Sequence, residues 1–247
     1  SARADVFTFD TTLASPDTNA PTNALNSSTN NASWYDGNGN PQGGWTVDNS
    51  NGIEVGLRAK YRQNPGVIDT PNDVYVVAPG LQSGTSDAAW NYEFSIDLRP
   101  NGVGALTLAD ILNSTLTVTD ITTGKTNTVL LSSIAGDDSG FGTTNGITGP
   151  NRISEAGNPA AFAAGWGAQN SENATFGNWP LAALQGFNPN AADTYMFQLQ
   201  VIDNAGLVLA TNDMEVQVTP EPSAVILLAT MILGAFVLAR RRRATQN

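Results

Sequence analysis

The sequence predicts an all-β protein, an antiparallel β-sandwich of jelly-roll-like form that carries a helical and loop insertion and one C-terminal transmembrane helix. Three observations carry that expectation. Short segments alternate apolar and polar residues with a period of two, turn residues separate them, and the long uncharged apolar run is confined to residues 224–239.

The alternation is clearest at residues 90–99. Trp90, Tyr92, Phe94, Ile96 and Leu98 fall on one face of an extended chain, and Asn91, Glu93, Ser95, Asp97 and Arg99 fall on the other; Pro100, Asn101 and Gly102 end the run. Taken from the N-terminus, less regular versions occupy residues 5–10, 53–61, 74–77, 115–121, 127–131, 195–203 and 207–218. Thr122-Thr123-Gly124-Lys125 and Asp203-Asn204-Ala205-Gly206 stand between such runs and read as hairpin turns. About eight strands with almost no helical period place residues 5–218 in one two-layer β domain. Two stretches interrupt it. Residues 15–44, rich in Asn, Thr, Ser, Gly and Pro, read as a long polar loop; residues 132–190 read as an insertion with short helices near 159–168 and 180–186.

Composition limits the chemistry. Charged residues are 13% of the chain, against about 25% for an ordinary globular protein, as suits an exported β protein with polar loops. Of the 11 basic residues, Arg240, Arg241, Arg242 and Arg243 follow every one of the 22 acids, so the chain ahead of them sets seven bases against 22 acids, a net charge of −15. So acidic a domain repels nucleic acid, and no nucleic-acid partner is expected. The absence of Cys and His removes disulfides, thiolate nucleophiles, Ser-His-Asp triads and imidazole metal ligands. Carboxylate chemistry, oxygen-ligated cations and Ser/Lys pairs built on Lys60 or Lys125 are what remain.

Five local features are weighed against plainer readings. Asp36-Gly37-Asn38-Gly39-Asn40 spaces oxygen ligands like the start of a calcium loop, but Pro41 takes the required glycine position and Val47 that of the bidentate glutamate. A polar turn fits as well, so calcium is the one cofactor considered and none is assigned. Asp137-Asp138-Ser139 offers ion-binding oxygens in a Gly-rich stretch, where solvated acids are ordinary. Glu54 with Glu93, or Glu155 with Glu172, supplies paired acids of glycosidase type, but nothing in the sequence sets their separation; the reading is not an enzyme. Trp34, Tyr35, Trp166 and Trp179 fall in expected loops and suit stacking against sugar rings, whereas Trp90 reads as core. The Asn-x-Ser/Thr sites at Asn26, Asn31, Asn113 and Asn173 are what so Asn- and Thr-rich a chain yields by chance.

The two ends read as an address. Ala2 and Ala4 have the small-x-small spacing of a signal-peptidase site, so residues 1–4 are expected to be the remnant of a cleaved signal peptide. Residues 224–239 hold 16 uncharged residues, about 24 Å as a helix against a hydrocarbon core of about 30 Å, and flanking residues with snorkelling arginine stems make up the rest. By the positive-inside rule, Arg240, Arg241, Arg242 and Arg243 put residues 240–247 in the cytoplasm and the acidic domain outside or in the periplasm.

Immediately before the span, residues 219–223 read Thr219-Pro220-Glu221-Pro222-Ser223. Pro-Glu-Pro, then a short apolar span, then an arginine cluster resembles the PEP-CTERM sorting signal, with Pro220, Glu221 and Pro222 on its three signature positions. The two prolines deny this segment helix and ladder pairing, which holds it extended and accessible. The resemblance implies processing by an exosortase and delivery to the cell surface or an exopolysaccharide matrix, and it covers the tail alone. The expectation is an exported, non-enzymatic surface or matrix protein, with membrane, exosortase and exopolysaccharide as partners. Two alternatives stand beside it: an accessory single-span subunit of a membrane complex with a periplasmic ectodomain, and a carbohydrate-binding module.

Overall fold

The computed structural model describes residues 6–11, 44–61, 71–100, 104–134, 140–141, 160, 163–177 and 179–219. Eleven strands are seen among them: β1 (Val6–Thr11), β2 (Trp45–Ser50), β3 (Ile53–Tyr61), β4 (Val74–Val77), β5 (Trp90–Asp97), β6 (Thr115–Asp120), β7 (Thr126–Leu130), β8 (Gly140–Phe141), β9 (Gly167–Asn173), β10 (Asp193–Ile202) and β11 (Val208–Val218). They form a six-stranded sheet in the order β1-β2-β3-β5-β9-β8 and a five-stranded sheet in the order β4-β11-β10-β6-β7.

The all-β expectation holds, with two corrections. The sandwich is mixed, because β4 runs parallel to β11, Val74 opposite Glu215 through to Val77 opposite Val218. That short parallel pair lies at a sheet edge, where its weaker ladder matters least. It also sets Tyr75 in the core, where the hydroxyl accepts from Thr46 N (3.0 Å) and reaches the carbonyls of Gly44 (2.7 Å) and Leu57 (3.0 Å) in the opposite sheet. Nor does the chain wind as a jelly roll, which alternates between sheets; β1, β2 and β3 are neighbours in one sheet, and β6-β7 and β10-β11 are hairpins in the other.

The β2-β3 hairpin turns on Asn51 (φ 52°) and Gly52 (φ 78°), the two left-handed residues a two-residue hairpin demands. Inside the sandwich, Val55, Leu57 and Ala59 of β3 and Trp90, Tyr92, Phe94 and Ile96 of β5 meet Leu116, Val118, Tyr195, Phe197, Leu199 and Val216 from the other sheet. Tyr92 is the hinge of an aromatic group, with ring centroids 4.8 Å from Phe197 and 5.1 Å from Trp179. Burying each such side chain contributes about 1.5–3 kcal/mol before the cost of ordering it.

Much of the expected insertion, including 142–159, lies outside the described residues. Ala164 N donates to Ala160 O at 3.1 Å, a single helical turn, but the chain is extended again from Gly167 as β9. Residues 180–186 form successive turns, Leu184 N to Leu181 O (3.0 Å) and Phe187 N to Leu184 O (3.1 Å), which press Leu181 and Leu184 into the core. A short helix, α1 (Leu131–Ile134), follows β7. Among the described residues no helix is long and apolar enough to cross a membrane; residues 1–4, most of the 15–44 loop, and the expected span and basic tail at 220–247 lie outside them.

Candidate functional site

Each sheet has an outer face, and the two differ. On the six-stranded sheet the outward side chains of β3 and β5 include Glu54 opposite Asp97, Gly56 opposite Ser95, Arg58 opposite Glu93 and Lys60 opposite Asn91. These charges are buried: none of Glu54, Arg58, Lys60, Glu93 and Asp97 exceeds 3% exposure. The Glu93 carboxylate takes Arg58 Nε on one oxygen and Lys60 Nζ on the other, and the Arg58 guanidinium lies 4.2 Å over the Trp45 ring. Two cations on one carboxylate, with an indole against the guanidinium, make a buried ionic cluster on this face.

That geometry answers the paired-acid expectation. Glu54 and Glu93 are offset by four residues along the strands, roughly 13 Å of backbone, and the Glu93 carboxylate is turned to its cations. Glu172 stands opposite Tyr92, on the core-facing side of the sheet, and Glu155 lies outside the described residues. Glu54 and Glu93 therefore do not face one another across a cleft.

The outer side of the five-stranded sheet is half-buried along β10 and β6 and exposed along β7. Alternation points Tyr195, Phe197, Leu199 and Val201 of β10 inward and Thr194, Met196, Gln198 and Gln200 outward. On β6 the outward residues are Thr115, Thr117 and Thr119, and on β7 they are Thr126, Thr128 and Leu130. Register aligns them in rows: Thr128, Thr117, Gln198 and Asp213 form one, and Thr126, Thr119, Met196 and Glu215 the next. Thr117 and Thr128 share a hydroxyl hydrogen bond of 2.9 Å, and Thr119 and Thr126 one of 3.4 Å. Charge enters only at the β11 end of these rows, as Asp213 and Glu215.

Of the aromatic residues expected to contact sugar, Trp179 is corrected outright. It is 1% exposed and packs edge-on to Tyr92 and 5.9 Å from Phe94, because the turns after it fold back over the core. Trp166 is half-buried just before β9; its carbonyl accepts Leu98 N (2.8 Å) and Arg99 covers its ring at 4.7 Å. Trp34 and Tyr35 lie outside the described residues, as do Asp36 to Asn40, Asp137, Asp138, Pro220, Glu221, Pro222 and the four arginines. Val47, the twelfth position of the calcium-loop pattern, is a buried residue of strand β2, where a calcium loop would lead into a helix. Among the described residues no group of three or more acids is placed to hold a metal. Lys60 is committed to Glu93, and Lys125 Nζ donates to Gln185 O at 3.1 Å.

Asn173 was missed as a structural residue. It is fully buried; its amide donates to the carbonyls of Ala88 (2.8 Å) and Trp90 (3.1 Å) and its oxygen accepts Ala88 N (2.8 Å) and the Thr175 hydroxyl (2.6 Å), so it cannot carry a glycan in the folded chain.

Four groups titrate away from their ordinary values. Burial pushes the Tyr92 hydroxyl well above the usual tyrosine range, with the Leu181 N–H opposing and Glu172 adding to the rise. Tyr195 is likewise raised, by burial first and then by Asp193 and Asp120. Asp73 is pushed up by burial and by Asp213 and Glu215. Burial would raise Asp120 too, but the Thr123 hydroxyl (2.5 Å), the N–H groups of Thr123 and Thr122, and Lys125 together bring it down. Compared with protein-family models, with curated proteins and with solved structures, the chain matches none.

Proposed function

We propose that this protein is an exported surface or extracellular-matrix protein with a non-enzymatic binding or structural role, held by a transmembrane helix at residues 224–239 or sorted by an exosortase acting at Pro220, Glu221 and Pro222. The observation that carries the reading is where the sandwich stops. Strand β11 runs to Val218, Thr219 N still donates to Val77 O at 2.9 Å, and Pro220 is the next residue. The Pro-Glu-Pro segment thus follows in sequence directly on the last described strand, and its prolines have no N–H with which to continue that ladder, which supports reading it as a sorting signal at the end of the domain.

The chemistry of the domain supports a binding role. Among the described residues, the buried charges of β3 and β5 include ion pairs to Glu93, Glu54 and Glu93 are separated, and the outer face of β6, β7 and β10 is uncharged. Intact mass of the native protein from membrane and extracellular fractions tests the proposal. A chain ending near Pro222 in the extracellular fraction is the expected result. A chain retaining residues 223–247 in purified membranes would instead favour a standing accessory subunit of a membrane complex.

A further inference from the structure

We propose that the outer face of the five-stranded sheet is the docking surface for a neutral polysaccharide, a proposal that rests on the matrix reading above and names the surface and the ligand class. The argument starts from charge. The domain carries a large excess of acid, yet none of Thr115, Thr117, Thr119, Thr126, Thr128, Met196, Gln198 and Gln200 is charged. Exposed strand faces in acidic proteins ordinarily carry some of that charge; here the acids stop at β11. An uncharged face in an acidic domain fits a partner without charge, since a polyanion would be repelled by Asp213 and Glu215 at its margin and a polycation would find little on it to bind.

The functional groups narrow the class further. A protein partner needs buried apolar or aromatic anchors and a lipid surface needs basic or bulky apolar side chains; the centre of this face has only Met196, and the exposed Leu130 and Val76 stand singly at its two edges, on β7 and β4. What it has is a lattice of hydroxyls and amides, strands about 4.8 Å apart and outward residues about 6.7 Å apart along each strand. In the Thr117–Thr128 pair one hydroxyl donates to the other, so the pair keeps one proton and several lone pairs for a ligand, at positions already set by the sheet. Gln198, next in the same row, adds an amide that both donates and accepts. A sugar polymer presents hydroxyls that donate and accept in the same way, and C–H surface that the flexible thioether of Met196 suits. Preorganised donors lose little entropy on binding, which is what a shallow face needs to retain a long, repetitive ligand.

The test uses the full chain in a polyoxyethylene detergent, which has no sugar headgroup to compete. Retention is measured on microcrystalline cellulose and cross-linked dextran, both neutral, and on alginate beads, which are anionic. The wild type is expected to be retained by at least one neutral polymer and not by alginate. The variant T117A/T128A/Q198A, which strips one row of hydroxyl and amide, is expected to lose about tenfold in retention, equal to about 1.4 kcal/mol, with an unchanged melting temperature. Should it fold poorly, T115A/Q200A from the adjoining row gives the same readout. Retention on alginate alone, or on neither neutral polymer, overturns the ligand class; neutral retention that both variants leave intact overturns the surface. The mass measurement on the tail is independent of all these outcomes, so the docking surface can fail while the matrix reading stands.

Discussion

Asn212, in the middle of β11, reaches across the core and donates one amide proton to the carbonyl of Val55 at 2.8 Å. Its other proton goes to the carbonyl of Thr46 at 2.7 Å, so a single side chain of one sheet ties two strands of the other. Asn212 is fully buried. Replacing it with alanine removes both donors and opens a small void, and a loss of about 2–4 kcal/mol is expected in urea unfolding. Asn212→Asp should cost more, because a carboxylate would then face two carbonyl oxygens in a dry core.

Glu93→Gln should be among the most damaging surface-independent changes in the chain. It removes the carboxylate that Arg58 and Lys60, both buried, share, and removing one partner of a buried ionic cluster costs about 3–5 kcal/mol. Arg58→Lys keeps the charge but gives up the planar stack on Trp45, and a smaller loss of about 1–2 kcal/mol is expected. Chemical denaturation of the two variants side by side checks the order.

Asp73 and Asp120 should respond to pH in opposite senses. The Asp120 carboxyl lies below the usual 3.8 in the folded chain, so the stability it adds is present above that value and is lost as pH falls through its folded value. The Asp73 carboxyl lies above 3.8, so its ionisation weighs against the fold at neutral pH and the penalty disappears in acid. Asp73→Asn should therefore stabilise at pH 7 by more than at pH 3. Any conformational gain from asparagine at its left-handed φ of 62° is the same at both values and cancels in the difference. Thermal melts of wild type and variant at the two pH values measure that difference.

Trp179→Ala is expected to cost about 3–5 kcal/mol, because it empties a site between Tyr92 and Phe94. Trp179→Phe should cost less. If polysaccharide retention is measured well below the melting temperature of either variant, it should be unchanged, since the ring lies in the core and not on the open face.

The eight runs read from alternation all lie on strands, and three strands escaped. In β5 and β10 one face is apolar and the other polar, which is the pattern a period-two reading detects. Strand β2 hides because its core-facing residues are Thr46, Asp48 and Ser50 while Trp45 and Val47 lie on the outer face with Arg58; its polarity is inverted. The Asn51-Gly52 turn that follows was the available clue. Strand β9, Gly-Ala-Gln-Asn-Ser-Glu-Asn, has one apolar side chain and is held by seven aligned positions along β5 instead. The two residues of β8 are too few to show any period. Trp179 was misplaced because Gly177 and Asn178 signal a loop, and a loop folded back over a core looks in sequence like one that projects from it. The open Thr and Gln face was legible residue by residue; only register made it a surface.

Strand β4 is completed by β11, which lies between β4 and β10 and is the last strand before Pro220. A chain emerging from its N-terminus thus holds most of one sheet early, yet neither β4 nor β10 has its β11 neighbour until the final strand appears. Folding with such distant pairings is slow, and here it must wait for the C-terminal end of the domain. The five-stranded sheet therefore cannot close until the chain up to Val218 is available. A truncation ahead of Val208 would leave β4 and β10 with no strand between them, so the sheet depends on its C-terminal strand for its middle rather than for its edge.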